Sequence, residues 1–334
     1  MSHWPVVMPV TFSIKQASSK GQARTEKPPV RVSVQNLETK TVGELKLDFL
    51  KSINKPGLGV SRVRFSQESN HEILGPNEKV LSTFKFPKES TEISLLYKDL
   101  GPQISWRTVF VVEYFFPMVI FPALWVLVRK FPHSLVTQLI YPTASASAPT
   151  AHWQDLLALL FTLHFIKREL ETVLVHRFGT DTMPVTNIFK NSGYYWVFAF
   201  WIAHITMHPL YTMPACSSQR TFGVGLFLVS ELLNLKCHID LRNLRPEGTR
   251  IRKVPHGILF NLVSCPNYMF EVLSWVGFTL ASQSVAAAAF TLVGAAQMTL
   301  WAIQKHKRYR KEFDGKDGRE AYPKGRRAIV PFIL

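Results

Sequence analysis

Residues 109–128 read VFVVEYFFPMVIFPALWVLV, a run whose single charged side chain is Glu113 and which Arg129 and Lys130 close. As a helix rising ~1.5 Å per residue, such a run matches the ~30 Å hydrocarbon core of a bilayer. Downstream, apolar segments recur near 153–166, 194–207, 222–235, 257–280 and 285–303, separated by short polar or basic stretches. The pattern predicts an α-helical multi-pass membrane bundle of about six or seven spans. The 334 residues are 47% hydrophobic, with a formal charge of +16. That excess suits an anionic membrane face or a phosphate-bearing ligand, and the spans argue against nucleic acid. Cys216, Cys237 and Cys265 form no C-x-x-C pair and read as reduced packing residues. The first ten residues, MSHWPVVMPV, lack the basic and long apolar regions of a secretory signal, and the chain holds no N-x-S/T acceptor. The N-terminal hundred residues are therefore expected in the cytosol.

Upstream of the first span the pattern changes. Residues 10–16 and 30–35 alternate apolar and polar side chains across a Ser/Lys/Gly-containing connector, the signature of a hairpin. Thr41 and Glu44 have capping-box spacing, and Val42, Leu45, Phe49 and Ile53 follow at helical intervals. Residues 60–65 and 91–97 alternate again, giving β-β-α-β-β. This order resembles the ubiquitin-like grasp fold, without the diglycine tail that conjugation needs. The turn-rich link 98–102 ends the unit, so the expected division is a small α+β domain over 1–100 and a membrane-embedded domain over 101–334. Basic runs at 242–253 and 305–327 would lie on the cytosolic side, with the N-terminal domain there too if the span number is even.

Within the apolar part, Glu113, Lys167, Arg168, Glu169, His204, His208, Glu231 and Glu271 are titratable. Such groups ordinarily face a polar cavity inside the bundle. The densest cluster, 234–245, holds Asn234, His238, Asp240, Arg242, Asn243 and Arg245. On a helix the three-residue spacing puts Arg242 and Arg245 on one face. Guanidinium forks suit phosphate oxygens, and lipid headgroups are the competing occupant; the residues leave both open. Residues 305–311, KHKRYRK, permit the same two readings, with Tyr309 able to stack or hydrogen-bond. No G-x-G-x-x-G follows a strand, so any dinucleotide would be held by Arg, Asn and Tyr side chains between helices. In SCPNYMFE, 264–271, Pro266 interrupts an apolar run, Asn267 offers a donor and an acceptor, Tyr268 can give a proton, and Glu271 lies one turn on. A proton donor beside a nucleotide clamp suggests a reductase; a kinked helix with mutually satisfied polar groups is the bland reading. His204 and His208 have metal-ligand spacing, but the scattered remaining histidines do not supply the cluster that a membrane iron site requires, so no metal is expected. No G-x-S-x-G is present for a serine hydrolase.

Together these stretches, with KDLGPQISW, HFIKRELETVLVHRF, NIFKNSGYYW, HPLYTMP, CHIDLRNLRPEG, WAIQKHKRYRKEF and YPKGRRAIVPFIL, resemble the steroid 5α-reductase-like membrane family. Within it, they resemble the very-long-chain trans-2-enoyl-CoA reductases of fatty-acid elongation. The resemblance implies NADPH as hydride donor, trans-2-enoyl-CoA as substrate and the endoplasmic-reticulum membrane as location. It also implies other elongation enzymes as partners and a supply of acyl chains for sphingolipids. By position it implies Asn234, His238, Arg242, Arg245, Asn267, Glu271, Tyr309 and Arg168 at the cofactor, Tyr268 as the catalytic acid and Lys167 as a second residue needed for activity. Glu113 aligns loosely with a first-helix carboxylate of the steroid enzymes. Where relatives have His-Tyr this chain has His164-Phe165. Phe165 has no hydroxyl, so a proton-donor role assigned to that position in the steroid branch cannot operate here, and Tyr268 becomes the stronger candidate. The rival readings are a steroid or polyprenol double-bond reductase and a non-catalytic scaffold of the elongation complex.

Overall fold

The structure is a computed structural model that describes residues 9–17, 28–86, 91–142, 151–245, 253–316, 318 and 320–334. The N-terminal stretch 1–8, most of the hairpin connector and 246–252 of the first basic run lie outside the described residues. Two compact units emerge, one of residues 1–106 with Thr180–Thr186 and one of 107–179 with 187–334.

In the first unit, β1 (Val10–Gln16) and β2 (Val30–Val34) form the expected antiparallel hairpin. Then come α1 (Val42–Ser52), β3 (Val63–Gln67), β4 (Ile73–Leu74) and β5 (Glu92–Asp99). The sheet order is β2-β1-β5-β3-β4, with β5 parallel to β1 at its centre. Thr41 caps α1 as its spacing predicts: its Oγ1 accepts from Glu44 N–H at 3.2 Å, and the Glu44 carboxylate accepts from Thr41 N–H at 2.7 Å. The alternating faces explain the core, where Phe12, Val42, Leu45, Phe65 and Leu95 are fully buried. The two-residue β4 is an addition to the expected order, too short to leave a periodic trace. A separate ribbon pairs β6 (Gln103–Ser105) with β7 (Thr182–Pro184), and Trp106 Nε1–H donates to Thr180 Oγ1 at 2.9 Å beside it.

The second unit is helical. Its long elements are α2 (Trp106–Lys130), α4 (Ala151–Leu170), α5 (Thr186–Met207), α6 (Ser217–Asn243), α8 (Pro266–Ser282) and α9 (Val285–Glu312), with short helices α3 (Leu135–Ile140) and α7 (Ile258–Leu262) between them. Among the described residues three helices, α2, α6 and α9, are long and apolar enough to cross a membrane. These mark the chain as a membrane protein. The core gathers on α4, where Leu157, Phe161 and Phe165 meet Phe227, Trp275 and Phe278. The tightest approach is between α6 and α8: a Cβ on Gly277 would fall 2.5 Å from Phe227 N, and one on Gly223 would fall 2.6 Å from Ala281 N. Only glycine lets two helix backbones come this close.

Two expectations about helix continuity need correction. The apolar run 257–280 is not one kinked span: α7 ends at Leu262, Val263 is extended, and Pro266 occupies the first turn of α8. A proline there sacrifices no hydrogen bond, because that N–H has no partner inside a helix. The interruption is satisfied from far along the chain, Ser264 N–H donating to Arg327 O at 2.7 Å and Cys265 N–H to Ala328 O at 3.1 Å. Likewise Arg242 and Arg245 do not share a helical face, because α6 stops at Asn243.

Candidate active site

Where α4, α6 and α8 meet, the apolar interior gives way to a continuous polar network. His164 on α4 lies between two carboxylates, its Nδ1 2.9 Å from Glu231 Oε1 on α6 and its Nε2 3.5 Å from Glu271 Oε1 on α8. One turn on, the Lys167 ammonium reaches Glu231 Oε2 at 2.7 Å and donates to Asn234 Oδ1 at 2.8 Å. Asn234 then donates through Nδ2 to the Asn267 carbonyl at 2.9 Å. Two hydrogen bonds thus tie Lys167 to the first turn of α8. Arg168 points the other way, pairing with Glu171 Oε2 at 2.6 Å and donating to the Tyr114 hydroxyl at 3.2 Å. His238 Nδ1 is 3.0 Å from the same Glu171 oxygen. Glu171 opens a π turn, Glu171–Val175, that extends α4. Charges this deep persist only when paired, and each here has an opposite charge or a hydrogen bond.

Not every expected residue joins this network. Asn267 and Glu271, four apart on α8, face it together. Tyr268 is rotated about 100° around the helix and turns to α9. There its ring lies 6.3 Å from Trp301 and packs on Cys265, Ala302, Ala328 and Ile329, with the Lys305 ammonium 5.7 Å from its centre. Tyr309 is one turn further along α9, buried beside Tyr322 at 5.5 Å and also 5.7 Å from Lys305 Nζ. The Arg245 guanidinium donates to the Arg177 carbonyl at 2.7 Å and Arg177 returns a bond to the Arg245 carbonyl, while Arg242 is exposed at the end of α6. Phe165 fills an aromatic cage of Tyr114, Phe161, Tyr195 and Trp275, confirming an apolar role at the hydroxyl-free position.

Sequence reading missed the parts played by His164, Glu171, Tyr114 and Lys305. The first three lie within helical reach of Lys167 or on a facing helix, and only the fold shows that they converge. Glu171, His176 and His238 are spaced closely enough to hold a metal ion, but the Arg168 guanidinium already lies against Glu171, and a second cation there would meet its repulsion. His204 stacks on Tyr141 at 4.9 Å, and His208 falls beyond the end of α5, where its Nδ1 accepts from Leu210 N–H. Their rings lie 6.2 Å apart, both against Tyr141. A cavity of about 330 Å³ lined by His204, His208, Tyr211, Thr212 and Gln283 lies at this opposite end of the bundle, near the start of α4.

Residues 181–334 match the family described as 3-oxo-5-alpha-steroid 4-dehydrogenase. The chain is 42% identical over 301 residues to the very-long-chain enoyl-CoA reductase of Dictyostelium discoideum, covering 88% of this chain and 92% of that one. This chain belongs to the very-long-chain enoyl-CoA reductases. It is also 44% identical over 253 residues, 73% of its length and 77% of the other's, to a Caenorhabditis elegans protein named "Probable very-long-chain enoyl-CoA reductase art-1". Identity is 32% over 303 residues to the trans-2,3-enoyl-CoA reductase-like protein of Mus musculus, covering 89% and 78% of the two chains. Very-long-chain enoyl-CoA reductases are oxidoreductases of carbon–carbon bonds, and the family points to a nicotinamide cofactor. The residues fit such a group in one respect that can be read directly: Asn267 Oδ1 is buried without a hydrogen-bond partner, an acceptor waiting for an amide donor.

Proposed function

We propose that this chain reduces very-long-chain trans-2-enoyl-CoA to the saturated acyl-CoA with NADPH, the last reductive step of the microsomal elongation cycle. The observation that carries the reading is the near full-length similarity to an enzyme of that name, 92% of which the match covers. The buried network on α4, α6 and α8 supports it, because a chain that only anchored partners would have no need of so many charges in an apolar interior.

NADPH, when bound, supplies hydride for C3 of the substrate. Asn234, His238, Arg168, Asn267 and Glu271 would hold it, with Arg242, Arg245 and Tyr309 at the basic end where its phosphates would lie. Tyr268 keeps a proton at Oη for C2 or for the enolate oxygen that forms as C3 is reduced. Lys167 fixes Asn234 and through it the start of α8, so its contribution to activity is to orient the turn that bears Asn267 and Tyr268. The thioester carbonyl makes C3 electrophilic, and a donor placed where enolate charge develops lowers the barrier most. The acyl chain would lie among the apolar helices while the CoA phosphates meet cytosolic Lys and Arg.

The same proposal has six or seven spans, with α4, α5 and α8 joining the three helices that are long and apolar enough to cross a membrane. It places the protein in the endoplasmic-reticulum membrane with the N-terminal unit and basic C-terminal run in the cytosol. The mixed sheet order with a parallel central pair supports a ubiquitin-like domain over 1–100 that meets other elongation enzymes. Purified protein, assayed by NADPH absorbance, should oxidise NADPH with a panel of very-long-chain trans-2-enoyl-CoAs and ignore a 3-oxo-Δ4 steroid. Oxidation with the steroid alone would move the chain to the rival reductase class, and none with either would make it a scaffold.

A further inference from the structure

Lys305 is a half-buried cation to which the described contacts give no acid. It lies on α9, its Nζ 5.7 Å from the ring centres of both Tyr268 and Tyr309. Among the described residues no carboxylate pairs with it. The ammonium groups that carry buried ion pairs in this fold behave differently: Lys167 has Glu231 at 2.7 Å. An ammonium partly withdrawn from water loses hydration that two ring faces do not fully replace, so an anion forming beside it is favoured.

We infer that Lys305 is a positioning residue for the reduction, holding its charge where the phenolate of Tyr268 forms once that phenol has given up its proton. The inference rests on the reading of Tyr268 as proton donor. The Tyr268 O–H bond breaks and a C2–H bond forms with the electron pair that hydride addition at C3 pushes onto the enolate. The phenolate left behind regains its proton from bulk water. Facing Tyr268 from α9 are Lys305, Arg308 and Tyr309, and from its own N-terminal end Cys265; the residues packed on it from 328–329 are Ala and Ile. Lys305 has its charge over the Tyr268 ring, and Arg308 is exposed to solvent, which screens it. Tyr309 is the less suitable phenolate, because it is buried with its ring closed in by Phe313 and Tyr322, whereas Tyr268 is half-buried.

The test reads the phenol itself. 3-Fluorotyrosine placed at position 268 of the full chain in nanodiscs reports ionisation through its ¹⁹F shift as pH is raised. Lys305→Met should move that midpoint up by about one to two pH units, the size expected of a unit charge at this range. Lys305→Arg should restore most of the shift. In the unlabelled protein Lys305→Met should slow turnover about tenfold or more, with the loss shrinking as pH rises through the wild-type midpoint, where the wild-type phenol loses its proton first. An unmoved ¹⁹F midpoint in a Lys305→Met protein that still elutes as a single species overturns the inference, including the case where only NADPH affinity falls, which would make Lys305 a phosphate ligand. Failure of the underlying reading looks different: Tyr268→Phe would turn over normally whatever the ¹⁹F titration gives.

Discussion

Gly277→Ala is the sharpest test of the packing that carries the site. The added Cβ would sit 2.5 Å from Phe227 N and 2.7 Å from Gly223 O, both backbone atoms that cannot rotate away. Ordinary contact begins near 3.4 Å, so α6 and α8 must separate by roughly 0.9 Å along the crossing. Overpacking of this kind costs about 1–3 kcal/mol. The control is Gly225→Ala two residues along α6, where a Cβ would meet nothing within 4 Å. That change gains about 0.5–1 kcal/mol, because alanine loses less backbone freedom than glycine in a helix. The two variants should therefore move in opposite directions in a thermal melt of detergent-solubilised protein, Gly277→Ala falling by several degrees and Gly225→Ala holding or rising. Because α8 also bears Asn267, Tyr268 and Glu271, the first variant should lose activity at temperatures where it is still folded. Equal melting temperatures for Gly277→Ala and wild type would mean that the two backbones do not cross at the described distance.

Tyr268→Phe should cut turnover by about 100- to 1000-fold, ~3–4 kcal/mol, with NADPH affinity retained in a fluorescence titration; a near-normal rate removes the phenol from the chemistry. Asn234→Leu deletes both the acceptor for Lys167 and the donor to the Asn267 carbonyl, and the charged bond alone is worth about 1.5–3 kcal/mol, so both melting temperature and kcat should drop. His176, past the end of the π turn, is pushed down to about 3 by burial and by the nearby Arg168 charge. An unfolded chain takes up that proton near 6.5, so below about 6.5 the unfolded state binds more protons and stability falls as pH drops toward about 3. His176→Gln should lose less melting temperature than wild type between neutral pH and about 5; an identical loss would assign the acid sensitivity to other groups.

Much of this was legible one residue at a time. Thr41 and Glu44 announced the start of α1, and the alternation of residues 10–16 announced both a strand and the side of it that Phe12 and Ile14 would bury. Local signals act over a turn or a strand, which is the range that spacing can encode. The polar network was legible only as a set of charges in apolar runs. That His164 stands between Glu231 and Glu271 depends on three helices meeting at particular depths, and nothing in the spacing of one helix fixes its depth against another. Pro266 was visible as a breaker, but whether it kinks a helix or begins one depends on the backbone partners of Ser264 and Cys265, which lie beyond residue 320. Lys305 was hidden by its company: in a basic run every lysine looks solvated, and only the fold shows this one turned inward between two phenols. The divergence of Tyr268 from Asn267 and Glu271 follows from helix geometry once α8 is known to begin at Pro266.

The backbone pairing of Ser264 and Cys265 with Arg327 and Ala328 also bears on how the protein is made. Ser264 and Arg327 are 63 residues apart. When a ribosome has just completed α8, it has not yet synthesised the residues that pair with the helix's leading end. Until that later stretch emerges, two amides lack their backbone acceptors and the turn bearing Asn267 and Tyr268 is held from α6 alone. The leading end of α8 is thus completed only when late-translated residues fold back onto a helix made long before them.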